Sequence, residues 1–281
     1  MPIHDELGTR MKEFYESVPK TKLMRRTPVA IRIDGKAFHT FTRGFNKPFD
    51  DVLISAMQDT MKYLCENIQG CVLGYTQSDE ITLILVDYKR LNSSAWFDYE
   101  VQKMCSIAAS MATMAFNKFF ESNVRKENNS FTAEWLDDDT DNPNYKNKKL
   151  EGLWRVHDKA LRKGAMFDAR CFNIPKEEVT NLVYWRQLDA TRNSIQMMGQ
   201  ANFSHKELQG KSCEKIKEML IAEKGISWED LYPMYKHGSC CIKVTTETDG
   251  VTRSSWEIDK NIPLFVGEGR EYIESLIQSE E

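Results

Sequence analysis

The chain has 281 residues, 41% of them hydrophobic and 28% charged, with a formal net charge of −4. Those proportions describe an ordinary globular protein with a sizeable core, in one large domain or two small ones. They exclude a general nucleic-acid coat, though local basic patches remain open, and no apolar run approaches membrane-spanning length, so no membrane is expected as a partner.

Seven cysteines are scattered, odd in number and without a C-x-x-C pair or a Cys/His cluster. That usage argues against structural zinc and for free thiols in a reducing cytoplasm. The amino terminus is polar and acidic, with no signal-peptide pattern.

Residues 5–18 carry Met11, Phe14 and Tyr15 at the spacing of a short amphipathic helix. The basic run at 19–26 reads either as a solvated linker or as a phosphate contact. The β-branched run at 29–33 predicts a strand, with Asp34 at its end and Gly35 freeing the backbone to turn. A loop at 45–50 leads to Asp50 or Asp51 as N-cap of a helix over 51–68. Val52, Leu53, Met57, Met61, Leu64 and Cys65 recur there at helical spacing, as core packing requires. Runs at 71–76 and 81–86 predict two tightly joined strands, with Asp79 and Glu80 at the hairpin tip. Both strands are apolar nearly throughout, as strands buried on two faces are.

A helix follows over 96–120, with a polar stripe of Lys103, Ser106, Ser110, Thr113 and Asn117 opposite its apolar side. The stripe suits either solvent or a covered, ligand-facing surface. Residues 122–150 lack periodicity and read as a loop or insertion, with 137–141 a solvated acidic run. Lys146, Lys148, Lys149, Arg155, Lys159, Arg162 and Lys163, with Tyr145 and Trp154 interleaved, suit either RNA contact or ordinary surface charge. A strand is expected at 170–174 and a helix at 176–198, then short helices at 205–209, 212–223 and 228–233. Strands at 239–245 and 252–258 make a terminal hairpin turning at Thr248-Asp249-Gly250, and a polar helix ends the chain.

Strand, helix, strand, strand, helix, strand is the order of a ferredoxin-like βαββαβ antiparallel sheet with helices on one face. The expected architecture is α+β: a palm-like domain over 1–174, with an insertion at about 122–165, and a helical and hairpin region over 175–281 packed on it. Asp34 and Asp79 then share one end of one sheet. Converging carboxylates attract hard cations such as Mg²⁺ and suggest two-metal nucleotidyl transfer. A lone Asp at a strand end is equally a turn former.

Residues 32–39 (Arg-Ile-Asp-Gly-Lys-Ala-Phe-His) and 75–80 (Tyr-Thr-Gln-Ser-Asp-Glu), with Asn46-Lys47-Pro48 between them, carry a family resemblance. Lys103 with Ser106 and Ser110, Phe167-Asp168-Ala169-Arg170, residues 185–189, Leu208-Gln209-Gly210 and residues 234–238 add to it. Over 27–120 and 167–245 the chain resembles the tRNA-His guanylyltransferases and their 3′–5′ polymerase-like relatives. The resemblance implies a palm domain that adds nucleotides to the 5′ end of tRNA after activation with ATP or GTP, working as a homo-tetramer. It implies two Mg²⁺ ions on Asp34, Asp79 and the Gly35 carbonyl, with Glu80 as a third acidic position. Lys36, Ala37, Phe38 and His39 would line the nucleotide, Ser78 would contact it, and Lys47 would lie near its phosphates.

The run after Asp189 departs from the pattern. Residues 190–194 read Ala-Thr-Arg-Asn-Ser where the guanylyltransferases carry a His-Ile-Asn-Asn-like run, and only Asn193 matches. This points to template-dependent repair of 5′-truncated tRNA, with guanylate addition to tRNA-His as the alternative. A nucleotide cyclase and a non-catalytic RNA-binding module are the readings from other classes. Paired carboxylates count against the latter, since they repel phosphate unless a cation intervenes.

Overall fold

The computed structural model describes residues 6–134, 143–248 and 251–279. In chain order the elements are α1 (Glu6–Met11), β1 (Val29–Gly35), α2 (Phe38–Phe41), α3 (Asp51–Asn67), β2 (Cys71–Gln77) and β3 (Glu80–Leu85). Then come α4 (Val101–Glu134), α5 (Pro143–Lys163), β4 (Phe167–Asn173), α6 (Val179–Asn202), α7 (His205–Leu208), α8 (Cys213–Lys224), α9 (Pro233–His237), β5 (Ser239–Thr248), β6 (Val251–Asp259) and α10 (Glu271–Glu274).

All strands join one antiparallel sheet in the order β4-β1-β3-β2-β5-β6. The first four take the ferredoxin-like arrangement expected from the element order. The β5–β6 hairpin extends the same sheet beyond β2, pairing Cys240 with Tyr75 and Cys241 with Gly74.

Alternation along β1 and β3 decides what covers each face. Val29, Ile31, Ile33, Ile81, Leu83 and Leu85 enter a core with α3 and α4. Ala30 and Ile84 enter a second core with Val179 and Val183 of α6 and with Phe265, Ile273 and Ile277 from the end of the chain. Burial on both faces explains why these strands read as continuous apolar runs. Asp50 caps α3 as expected, its side chain accepting from the Leu53 N–H.

Several expectations change. Residues 122–134, expected as loop, continue α4, and 143–150 begin α5. Among the described side chains of this part of α4, Val124, 4% exposed, packs on the core, and one apolar residue among so many polar ones leaves no visible period. The acidic run 137–141 lies outside the described residues, as do 249 and 250 of the terminal turn. Among the described residues at the amino end, the helix is Glu6–Met11, passing into a π-helical turn at Lys12–Glu16, with Phe14 and Tyr15 exposed. The expected terminal helix is broken into a 3₁₀ turn, α10 and a second 3₁₀ turn, pinned by buried Ile273 and Ile277. All seven cysteines are free thiols. Among the described residues, no helix is long and apolar enough to cross a membrane.

Candidate active site

At the end of β1, Asp34 lies opposite Glu80 of β3 on one side and Asp168 of β4 on the other. The Gly35 N–H donates to the Asp79 carbonyl at 3.0 Å, and the Lys36 N–H donates to the Met166 carbonyl at 2.8 Å. Backbone hydrogen bonds therefore gather the end of β1, the β2–β3 turn and the approach to β4 at one edge of the sheet.

Gly35 is required sterically. A Cβ built there would stand 2.2 Å from Cδ2 of Phe38. That ring is held by Phe41, Phe116 and Phe167, with centroids 5.0, 5.5 and 5.2 Å away. Two non-glycine residues flank the edge in left-handed backbone, Ala37 at φ 55° and Ser78 at φ 51°. Such positions are strained and persist only where their surroundings enforce them.

Burial, the largest cause in each case, pushes the carboxyls of both Asp34 and Asp79 upward. Glu80 and Asp168 raise Asp34 further, and Asp34 raises Asp79. Half-buried acids that repel one another favour a cation between them. Their oxygen-only donor set suits a hard ion such as Mg²⁺. Among the described residues, no group of three or more His, Cys, Asp or Glu forms a metal cluster, so the candidate set is this carboxylate pair with backbone oxygen.

A cleft of about 460 Å³ opens beside the pair, lined by Gly35, Ala37, Phe38, His39, Lys47, Ser78 and Asp79 among others. Its size suits a small-molecule ligand. Asp79 lines the cleft, whereas on the β1 side the lining begins with Gly35 and not Asp34. Lys36 is exposed but off the lining, and Phe38 lines the cleft although its side chain is buried. Asp50 also reaches this wall. Its Oδ2 accepts from the Asn46 N–H at 3.0 Å and lies 3.0 Å from Nε2 of buried His157 on α5. Burial would raise Asp50, yet the hydrogen bond and charge of His157, with the Asn46 and Leu53 N–H groups, hold its carboxyl low. The capping role was legible from the sequence; the bond to α5, 107 residues away, was not.

Glu80 is placed differently. Its side chain is 6% exposed, with Oε2 2.7 Å from Nη2 of Arg32 and Oε1 2.7 Å from Nε of Arg186 on α6. Arg186 also reaches Asp189 at 2.8 Å, and Trp185 covers both guanidiniums, 4.4 Å from that of Arg186 and 5.2 Å from that of Arg32. Glu80 thus ties α6 to the sheet beneath the carboxylate pair. The one signal for this lock was Arg32 and Glu80 themselves, charged residues in otherwise apolar strands.

The polar stripe on α4 divides. Lys103, Ser106 and Ser110 are exposed, whereas Thr113 accepts from the Phe167 N–H at 3.1 Å and Asn117 from the Ala165 N–H at 2.9 Å. The latter two fix the entry to β4. Residues 190–194 lie against the hairpin tip, where Asn193 and Ser194 join Gln77 and Ser78 around a second cavity of about 100 Å³.

A ferredoxin-like sheet that brings two repelling carboxylates to one edge, beside a cleft of this size, is an arrangement that cation-assisted phosphoryl transfer can use, and the family findings make the chain a nucleotidyltransferase. The comparisons specify which kind. The family model of Thg1, tRNAHis guanylyltransferase, matches residues 8–175, and the chain belongs to that family. A bacterial tRNA(His) guanylyltransferase (Thg1)-like protein solved with ATP is 38% identical, with a TM-score of 0.75 over 97% of this chain and 99% of that one. The GTP complex of a bacterial Thg1-like protein gives 36% and 0.71 over the same shares. The tRNA(His) guanylyltransferase of Saccharomyces cerevisiae is 25% identical over 225 residues, which are 75% of this chain and 80% of that protein.

Proposed function

We propose that this protein adds nucleotides to the 5′ end of tRNA in the 3′–5′ direction, as template-dependent repair of truncated tRNAs. The observation that carries the reading is the hydrogen bond from Gly35 to Asp79, which sets both acidic motifs at the rim of one cleft.

Asp34, Asp79 and the Gly35 carbonyl would hold two Mg²⁺ ions, which when bound stabilise the attacking and leaving oxygens of in-line phosphoryl transfer. Exposed Lys47 supplies positive charge for a triphosphate, while Ser78 and the 36–39 turn orient the nucleotide. ATP and GTP are the proposed activating substrates, in keeping with the complexes of the bacterial neighbours. Glu80 serves by holding Arg32 and Arg186 rather than by touching substrate.

Repair is favoured over tRNA-His guanylylation by the 190–194 run. Thr191 Oγ1 lies 3.0 Å from Nδ1 of His237, and Ser194 accepts from the Trp228 indole N–H at 2.9 Å. These residues are engaged within the protein where the guanylyltransferases carry their own motif.

The deciding experiment is 5′-end extension with Mg²⁺ and all four nucleotides, on 5′-truncated tRNA and on full-length tRNA-His. Template-directed extension of truncated tRNA supports repair. Strong preference for one untemplated guanylate on tRNA-His would establish the alternative that the family's name describes. A homo-tetramer and a cytoplasmic setting, which suits the free thiols, complete the proposal; light scattering tests the former and fractionation the latter.

A further inference from the structure

We propose that the solvent face of α5 is a track for the phosphate backbone of the RNA whose 5′ end enters the cleft. This rests on the reading above and adds a surface to it.

The chain carries a net charge of −4, yet Pro143–Lys163 holds seven basic residues against two acidic ones. Over its described side chains the helix is strictly two-sided. Val156, His157, Ala160 and Leu161 turn to the protein, His157 and Ala160 being 1% and 5% exposed. Arg155, Lys159, Arg162 and Lys163 are exposed and fall within one arc of about 100° at the α-helical angle per residue. Asp158 pairs with Arg162 at 2.9 Å. Trp154, 45% exposed, lies about 80° beyond this arc on the far side of Asp158 and offers a ring for an unpaired base.

Position makes this more than a solvated helix face. The helix is tied to the cleft at two points. His157 meets Asp50, which holds the loop bearing Lys47. Beyond Lys163 the chain passes through Ala165, bonded to Asn117, to Met166, whose carbonyl accepts from Lys36 beside the carboxylate pair. The carboxyl end of the arc, at Lys163, therefore lies three residues before the Met166 carbonyl that Lys36 bonds at the reaction edge. The edge itself is acidic and repels phosphate. A polyanion that must bring its 5′ end there needs cations held rigidly a short distance back, and the α5 arc supplies them.

The test uses the full chain and fluorescently labelled tRNA without nucleotide, titrated at several salt concentrations, then steady-state extension. Lys159→Glu/Lys163→Glu should weaken tRNA binding by about 10-fold or more and flatten the log-affinity against log-salt slope by roughly 1–2. KM for tRNA should rise while kcat at saturating tRNA and nucleotide affinity stay unchanged. Lys159→Gln/Lys163→Gln should show the same pattern more weakly, and an unchanged melting temperature guards against misfolding. Unaltered affinity and slope would overturn the proposal. So would equal weakening by Lys176→Glu/Lys260→Glu, which makes the same charge change elsewhere. If the α5 variants bind tRNA poorly but the wild type extends no tRNA, the track stands and the repair reading falls; full extension with unaffected binding gives the reverse.

Discussion

The N–H of Gly35 donates to the carbonyl of Asp79 across 3.0 Å, and so two motifs more than forty residues apart form one edge. Asp34 and Asp79 are both raised, each first by burial, then Asp34 by Glu80 and Asp168 and Asp79 by Asp34 and Glu80. A buried acid with a raised folded pKa favours its protonated form, so stability falls as pH climbs from the ordinary carboxylate range through the raised value. Asp34→Asn or Asp79→Asn should therefore abolish nucleotide addition while raising the melting temperature at neutral pH by on the order of 1–4 °C. Scanning calorimetry beside the extension assay checks this, and Mg²⁺ should raise the wild-type melting temperature but not that of either variant. Retained activity in both variants would remove the proposed site.

Glu80 should behave in the opposite sense. Its carboxylate is buried between Arg32 and Arg186, and breaking a buried ion pair costs about 3 kcal/mol. Glu80→Gln is expected to lower the melting temperature by roughly 6–12 °C. Activity should fall as α6 loosens, yet the Mg²⁺-induced rise in melting temperature should persist. Loss of that rise with stability intact would make Glu80 a metal ligand instead.

Gly35→Ala places a methyl 2.2 Å from the Phe38 ring, which the surrounding phenylalanines prevent from retreating. The expected cost is about 1–3 kcal/mol of overpacking, together with loss of nucleotide affinity as the 36–39 turn shifts. Adding Phe38→Leu should recover part of the stability. No recovery in the double variant would mean that the strain lies elsewhere.

Asp50 links the Lys47 loop, the start of α3 and His157 of α5. Asp50→Ala removes a helix cap and leaves buried His157 without its partner, a loss of about 2 kcal/mol. Because its folded carboxyl is held low, the stability it contributes is present at neutral pH and disappears as pH drops through that depressed value. Urea unfolding between pH 3 and 7 should show this acid-limb loss in the wild type and a smaller one in Asp50→Asn. KM for nucleotide should rise in Asp50→Ala; an unchanged KM would detach the loop from the cleft's function.

Local chemistry alone announced β1 and the β2–β3 hairpin, since β-branched runs ending in Asp-Gly and Ser-Asp-Glu state both strand and turn. The helical period of Val52, Met57, Met61 and Leu64 announced α3 for the same reason. The continuation of α4 past residue 122 was hidden, because among its described side chains Val124 is the buried one, helped by Asn123 to Asp59 and Glu127 to His157, and no apolar period survives there. The role of Glu80 was hidden more deeply. Its spacing beside Asp79 is that of a site residue, and only the placement of α6, supplying Arg186 from 106 positions later, turns the side chain into a strut. Charge partners chosen across the sheet are invisible to periodicity, which records which face a residue occupies but not what the tertiary structure sets against it.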